Sequence, residues 1–369
     1  MKRIFARLAS PLIVPLILAV AIALAAPAES SADPPRVSAP DFTGEVWLNS
    51  PPLRRADLRG KVVLVDFWEY TCINCIRTFP YLRRWNSLYG PLGLVTIGVH
   101  TPEFAFGRDP GRVREAVKRF GLTFPIAVDS DYKIWDAFHN EAWPAKYLID
   151  KDGNIAFVHI GEGQYLEFES QIQKLLTEAN PHLDFSGPKF APPAEQAEPI
   201  TGCAQETPET YLGFERGDHL VNESGYRHEP ASYTAPADIP PNGYALNGRW
   251  LATPESIEHS GGAPGSDDSL TLRYEAKSVY LVAGSEDGSA KPIEITQDGK
   301  PVAKEATGVD LKTGADGRTS VPVLGKRMYY LIENPQFGTH TLKLTAAGAP
   351  LSLYSFTFGN NCESAFDHR

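Results

Sequence analysis

Cysteine is scarce in this chain: four in 369 residues, too few to hold a protein of that length together by disulfides. An excess of basic charge is missing too. Lys+Arg total 35 against 45 Asp+Glu, a formal net charge of -10, which excludes retention on nucleic acid or anionic lipid by bulk charge. There is no internal repeat, coiled-coil heptad or long run of like charge, so solenoids and extended coiled coils fall away. No second Cys-x-x-Cys and no histidine pair of matching spacing accompanies the first such motif, which argues against a zinc site. What the chain does have is 42% hydrophobic residues, enough to bury a core and exclude wholesale disorder, and length for two ordinary domains. The cysteines fall into two sets: Cys72 and Cys75, separated by two residues, and the remote Cys203 and Cys362.

Lys2, Arg3 and Arg7 precede an uncharged, largely apolar stretch from Leu8 to Ala28, with small residues at Ala23 and Ala25. This is the pattern of an export signal. The same run is just long enough for a membrane anchor, although Pro11 and Pro15 interrupt a straight helix. Residues 1–28 are therefore expected to be a signal peptide or N-terminal anchor and 29–37 a tether. The body of the protein is then expected to be periplasmic or otherwise extracytoplasmic, where disulfides persist. Residues 181–200, PHLDFSGPKFAPPAEQAEPI, hold five prolines that block helix and sheet and suit a linker. Domains are expected at 38–180 and 201–369.

Within 38–180 the element types alternate. KVVLVDF (Lys61–Phe67) and LVTIGVH (Leu94–His100) are apolar runs of strand length, and helix-like stretches follow at Cys75–Tyr89 and Arg112–Phe120. AKYLID, the turn Lys151–Asn154 and IAFVHIG read as a hairpin, and Leu166, Ile172, Leu175 and Leu176 share one face of a last helix. This order predicts an α/β domain on a mixed sheet. After Ile200 the texture changes to short alternating stretches such as SLTLRYEA, SVYLVAG and HTLKLTA between Gly, Asp and Pro turns. That pattern predicts an antiparallel β-sandwich of jelly-roll type.

In VDFWEYTCINC (Val65–Cys75) a buried strand runs into Cys-Ile-Asn-Cys at the expected start of a helix. Cys72 is placed where unpaired backbone N–H groups and the helix dipole favour a thiolate, and Cys75, one turn on, is within disulfide reach. Such a pair can open a substrate disulfide with its first thiolate and resolve the mixed disulfide with its second. A static structural disulfide is the plainer alternative. A peroxidase would want a threonine three residues before its cysteine, where Glu69 stands.

These residues resemble the thioredoxin-like oxidoreductases. Asp66 matches the buried acid of the D-F-W-x-x-x-C pattern, Pro80 the proline inside the active-site helix, Pro144 of WPAKYLID the cis-proline facing the cysteines, and Gly161 the glycine after the hairpin. WEYTCINC, GVHTPEFAF, WPAKYLID and GEG, followed by a β-rich tail, are similar to the TlpA-like and redoxin branches. More specifically they resemble the extracytoplasmic portion of DipZ-type proteins, in which a thioredoxin-like domain precedes a jelly roll like those of carbohydrate-binding modules. The resemblance implies an α/β thioredoxin-like domain followed by an all-β jelly-roll sandwich, and thiol:disulfide oxidoreductase activity in the reducing direction. It implies Cys72 as nucleophile, Cys75 as resolving thiol, Asp66 as proton relay and Pro144 as the residue that positions substrate. The implied partners are protein thiols and disulfides and a membrane electron donor of the CcdA or DsbD kind. The redox-active Cys72–Cys75 disulfide stands in place of any cofactor, and no metal is implied.

Trp143, Tyr70 and Glu69 are expected in the substrate groove, and His100 and Glu103 follow a strand end, where α/β folds place sites. Cys203 and Cys362 bracket the β domain and are expected to form a structural disulfide. The alternative function is a cell-envelope protein that binds a glycan or another protein, with Trp250, Tyr226, Tyr244 and Tyr274 as available aromatics. Asp267–Asp268 and Asp316–Gly317 are hints of calcium. No nucleic acid is expected among the partners.

Overall fold

A strand covered on both faces needs apolar residues almost throughout, and Val62–Trp68 is buried at every position. The computed structural model describes residues 36–190, 204–261, 266–285, 287–346 and 350–360. The signal or anchor segment, most of the tether, residues 191–200 of the Pro-rich segment, residues 201–203 with Cys203, and Cys362 lie outside the described residues. Among the described residues no helix is long and apolar enough to cross a membrane.

The N-terminal half carries strands β1 (Val37–Ser38), β2 (Val46–Leu48), β3 (Val62–Trp68), β4 (Leu94–His100), β5 (Ile126–Val128), β6 (Ala145–Ile149) and β7 (Asn154–Ile160). Its helices are α1 (Ile73–Tyr89), α2 (Pro110–Arg119), α3 (Lys133–Ala137) and α4 (Tyr165–Ala179). The sheet order is β1-β7-β6-β3-β4-β5-β2, with β3, β4 and β5 parallel, β6 antiparallel to β3 and β7 antiparallel to β6. The period-two alternation of β3 sends Val62, Leu64 and Trp68 into a core filled by α1, α2 and α4. Val63, Val65 and Phe67 enter a second core with Ile134 and Trp135 of α3. By the same alternation Asp66 shares the α1 face.

The C-terminal half is a large antiparallel sheet. Its longest strands, Ser269–Gly284 and Arg327–Ala346, pair from Ser269↔Thr345 to Ala283↔Arg327. Ser269–Gly284 also pairs with Tyr244–Ala252 through its first residues and with Pro350–Gly359 through its last, so the sheet turns over to enclose a core as a sandwich does. Three aromatics considered for a glycan face are part of that core: Trp250, Tyr244 and Tyr274 are buried. Half-buried Tyr226 shares a 2.9 Å hydrogen bond with Tyr244. The aspartates of the calcium hints already face cationic or imidazole groups: Asp267 meets Lys343 at 2.8 Å, Asp268 His259 at 2.9 Å and Asp316 Arg318 at 2.8 Å.

The two halves pack against each other directly. Tyr280, Val282, Met328 and Tyr354 join the α1 core, and the rings of Phe104 and Phe106 lie 5.3 and 4.8 Å from Tyr354. Arg77 of α1 donates to the Tyr280 hydroxyl at 3.5 Å, and the Ala105 N–H reaches both carboxylate oxygens of Glu255 at 3.0 Å. Within the Pro-rich segment Phe185 and Phe190 pack on Tyr89 instead of extending into solvent, because each ring has apolar surface to cover.

Candidate active site

Strand β3 ends at Trp68, the chain turns through Glu69–Thr71, and α1 begins with Cys72 as its N-cap. Cys72 and Cys75 are disulfide-bonded with Cα atoms 5.3 Å apart, and the Cys75 N–H donates to Cys72 Sγ at 3.2 Å. Cys72 is partly exposed; Cys75 is fully buried. A helix N-terminus offers unpaired N–H groups and positive potential to the outer sulfur. Helix α1 continues through Pro80.

The Trp143–Pro144 peptide is cis. Its loop is held from two sides: the Gly161 N–H donates to Pro144 O at 2.8 Å, and Trp143 Nε1 donates to Thr101 O at 3.1 Å. Gly161 has φ +91°, a conformation that favours glycine. Trp143 and Cys72 line the same cleft.

Behind the cysteines lies a buried acid and base. Asp66 is fully buried, and neither carboxylate oxygen has a hydrogen-bond partner among the described residues. Directly across on β6 stands Lys146, also buried, whose Nζ donates to Gly161 O at 3.4 Å. Burial pushes the Asp66 pKa up to about 7, with the Lys146 charge working the other way, and burial lowers the Lys146 pKa. Sequence reasoning missed Lys146. The signal was a single cation inside the apolar run AKYLI, but its pairing with Asp66 depends on a strand register that no local pattern declares.

Glu69 and Tyr70 do not reach the groove where they were expected. Both are buried. The Thr71 backbone N–H and hydroxyl both donate to Glu69 Oε2, and Glu69 Oε1 lies 3.6 Å from His100 Nε2. Tyr70 stacks on the His100 ring at 5.4 Å. The turn before Cys72 thus points these side chains inward, against a fully buried histidine. Glu103 does border the cleft, together with Glu141 and with Glu209, Tyr211, Arg216 and Thr357 of the β half. Those four β residues carry no sequence signal for a site; only the docking of the halves brings them to Cys72.

The chain is similar to known proteins over both halves. Residues 35–175 match the redoxin family, and residues 207–359 match the family described as thioredoxin like C-terminal domain. Protein DipZ of Mycobacterium bovis is 34% identical over 329 residues, covering 87% of this chain and 43% of that protein. The chain therefore spans under half the length of that relative. Thiol-disulfide oxidoreductase YkuV of Bacillus subtilis is 33% identical over 140 residues, 38% of this chain and 94% of its own length. Among solved structures, a thioredoxin-like protein in the oxidized form is 34% identical, covering 39% of this chain and 97% of its own, at a TM-score of 0.36. With a disulfide at the head of α1, and with near-complete coverage of a relative so named, the chain belongs to the redoxin family of thioredoxin-like thiol:disulfide oxidoreductases.

Proposed function

We propose that the protein reduces protein disulfides outside the cytoplasm through Cys72 and Cys75. The observation that carries this reading is the asymmetry of the pair: Cys72 is partly exposed at a helix N-terminus, and Cys75 is buried on the side of the sheet that Asp66 faces. In the reduced protein the Cys72 thiolate attacks one sulfur of a substrate disulfide. The Cys72–substrate bond forms, the substrate's own S–S bond breaks, and the departing thiolate takes up a proton. Ionised Asp66 accepts the proton of Cys75, whose thiolate then attacks Cys72 Sγ. The Cys72–Cys75 disulfide closes, the second substrate sulfur leaves as a thiol, and two electrons have passed to the substrate. A membrane dithiol donor of the CcdA or DsbD kind returns them. Trp143 forms one edge of the groove, and the cis peptide that joins it to buried Pro144 sets the loop that holds the substrate chain beside Cys72. Export rests on the basic-then-apolar N-terminus.

The test is substrate trapping. Cys75→Ser leaves the attacking thiol without its resolving partner, so mixed disulfides released by dithiothreitol should accumulate on Cys72. Turnover should fall by at least about 10³-fold, and Cys72→Ser should trap nothing. Non-reducing electrophoresis and insulin-reduction rates read both. A Cys72–Cys75 pair found predominantly oxidised in intact cells would reverse the assigned direction.

A further inference from the structure

The cleft beside Cys72 has a second wall, and the β half supplies it. Cys72, Asn74 and Trp143 face Glu209, Tyr211, Arg216 and Thr357 across a space of about 240 Å³. The wall is fixed in place: Tyr211 and Thr210 pair with Ser355 and Phe356 of the strand that also carries Thr357 and Tyr354, and Tyr354 is seated on Phe104 and Phe106.

The charges around this space do not balance. Three carboxylates, Glu103, Glu141 and Glu209, line it with one cation, Arg216. Arg216 is already engaged, donating to Glu103 at 3.0 Å and lying 3.5 Å over the Tyr211 ring. The Tyr211 hydroxyl also donates to Glu103, at 2.8 Å. Glu209 takes a 3.4 Å hydrogen bond from Thr357 and, among the described residues, has no cation within ion-pair distance. Glu209 is open to the cleft yet hemmed in by protein. This desolvation, together with the Glu103 charge, pushes its carboxyl up to about 8, and desolvation raises Glu103 as well. Arg216 pulls both the other way without offsetting the burial, so at neutral pH a cation beside Glu209 is what would hold it ionised. This is more than an acidic patch, because exchange at Cys72 must bring a substrate sulfur into the same cleft, and the residues beside that sulfur pass between these walls.

We propose that Glu209, with Glu103, makes the β half a specificity wall that selects disulfides whose attacked cysteine is flanked by lysine or arginine. A cation drawn in beside Glu209 favours its ionised form and pairs with it, whereas an acidic flank opposes ionisation of both groups. The inference rests on disulfide exchange at Cys72, in either direction.

The test uses the whole chain, reduced with dithiothreitol and then freed of it. Its substrates are two disulfide-bridged peptides identical except for Lys or Glu next to the cysteines. Single-turnover reduction should favour the Lys peptide about tenfold at low salt. The preference should shrink in 1 M NaCl, where the Debye length is about 3 Å, and Glu209→Gln should lose most of it. A wild-type ratio near one overturns the proposal, as does a ratio unchanged in folded Glu209→Gln and Glu103→Gln proteins. The salt series in the wild type needs no variant to fold, and a preference that salt leaves intact also overturns the proposal. If the reduced chain reduces neither peptide but the oxidised chain oxidises their dithiol forms, the reductase direction fails and the charge preference is read from the oxidation rates. Equal oxidation rates then overturn it, and exchange in neither direction overturns both.

Discussion

The two halves of the molecule bury polar groups in opposite ways. Around the cysteines, both Asp66 oxygens, one Glu69 oxygen, the Tyr70 hydroxyl and both His100 nitrogens are enclosed with no hydrogen-bond partner among the described residues. In the β half Ser355 is the only such case among the described residues. Elsewhere its buried polar groups are matched: His259 meets Asp268 at 2.9 Å, Asn334 donates to Tyr274 at 3.3 Å, and Asn222 donates to Leu246 O at 2.9 Å. A matched network stabilises one packing arrangement, whereas unmatched ionisable groups cost stability and persist where protons must move. The difference separates a half built to hold shape from a half built to react.

The largest expected effect that sharpens this contrast is in the β half. Asp268 accepts hydrogen bonds from His259, Ser266 and the Arg249 N–H. Asp268→Ala removes the acceptor of all three and should cost about 3–5 kcal/mol of unfolding free energy, with exchange rates of the remaining folded protein unchanged. An unaltered denaturation midpoint would erase the distinction. Next comes the buried pair. Replacing Asp66 and Lys146 together by leucine should gain about 1–4 kcal/mol while slowing resolution of the mixed disulfide by about 10²-fold. A loss of stability in the double variant would show that the pair is structural.

The two buried acids should also respond to pH with opposite signs. Asp66 has its pKa raised from 3.8 to about 7, so the folded chain holds a proton that the unfolded chain has released. Its contribution to stability therefore falls as pH rises from about 4 to about 7. Burial pulls Asp268 upward, but hydrogen bonds from His259, Ser266 and the Arg249 N–H hold it below 3.8. Its contribution is complete above that value and is lost as pH falls through the folded pKa. Denaturant titrations from pH 3 to 8 on the two variants separate these slopes, and parallel slopes would sink the assignment. Mixed-disulfide resolution should rise through pH about 7 in the wild type, as Asp66 ionises, and lose that inflection in Asp66→Asn. The smallest effect belongs to the exception: Ser355→Ala removes an unmatched buried hydroxyl and should shift stability by no more than about 1 kcal/mol, toward greater stability.

Legibility in the sequence followed the same divide. The strand before Cys72 could be read because a strand buried on both faces writes a continuous apolar run. Cys72 at a helix start, the loop at Pro144 and the β6–β7 hairpin could be read because short-range chemistry sets them. Edge strands β1 and β2 are two and three residues long, too short for any period to show. Glu69 and Tyr70 looked like loop residues because a tight turn gives no sign of which way its side chains face. The second wall of the cleft was invisible: Tyr211 and Tyr354 have the composition of ordinary core aromatics, and their meeting with Glu103 and Phe104 joins positions more than a hundred residues apart.

That wall also joins the two ends of the β half. Tyr211, near its start, is aligned by pairing with Ser355 of Pro350–Gly359, the last strand described, and Glu209 takes a hydrogen bond from Thr357 of the same strand. The residues that border Cys72 are thus set by a closure spanning almost the whole β half, so a substitution in that last strand can reshape the cleft without touching either cysteine.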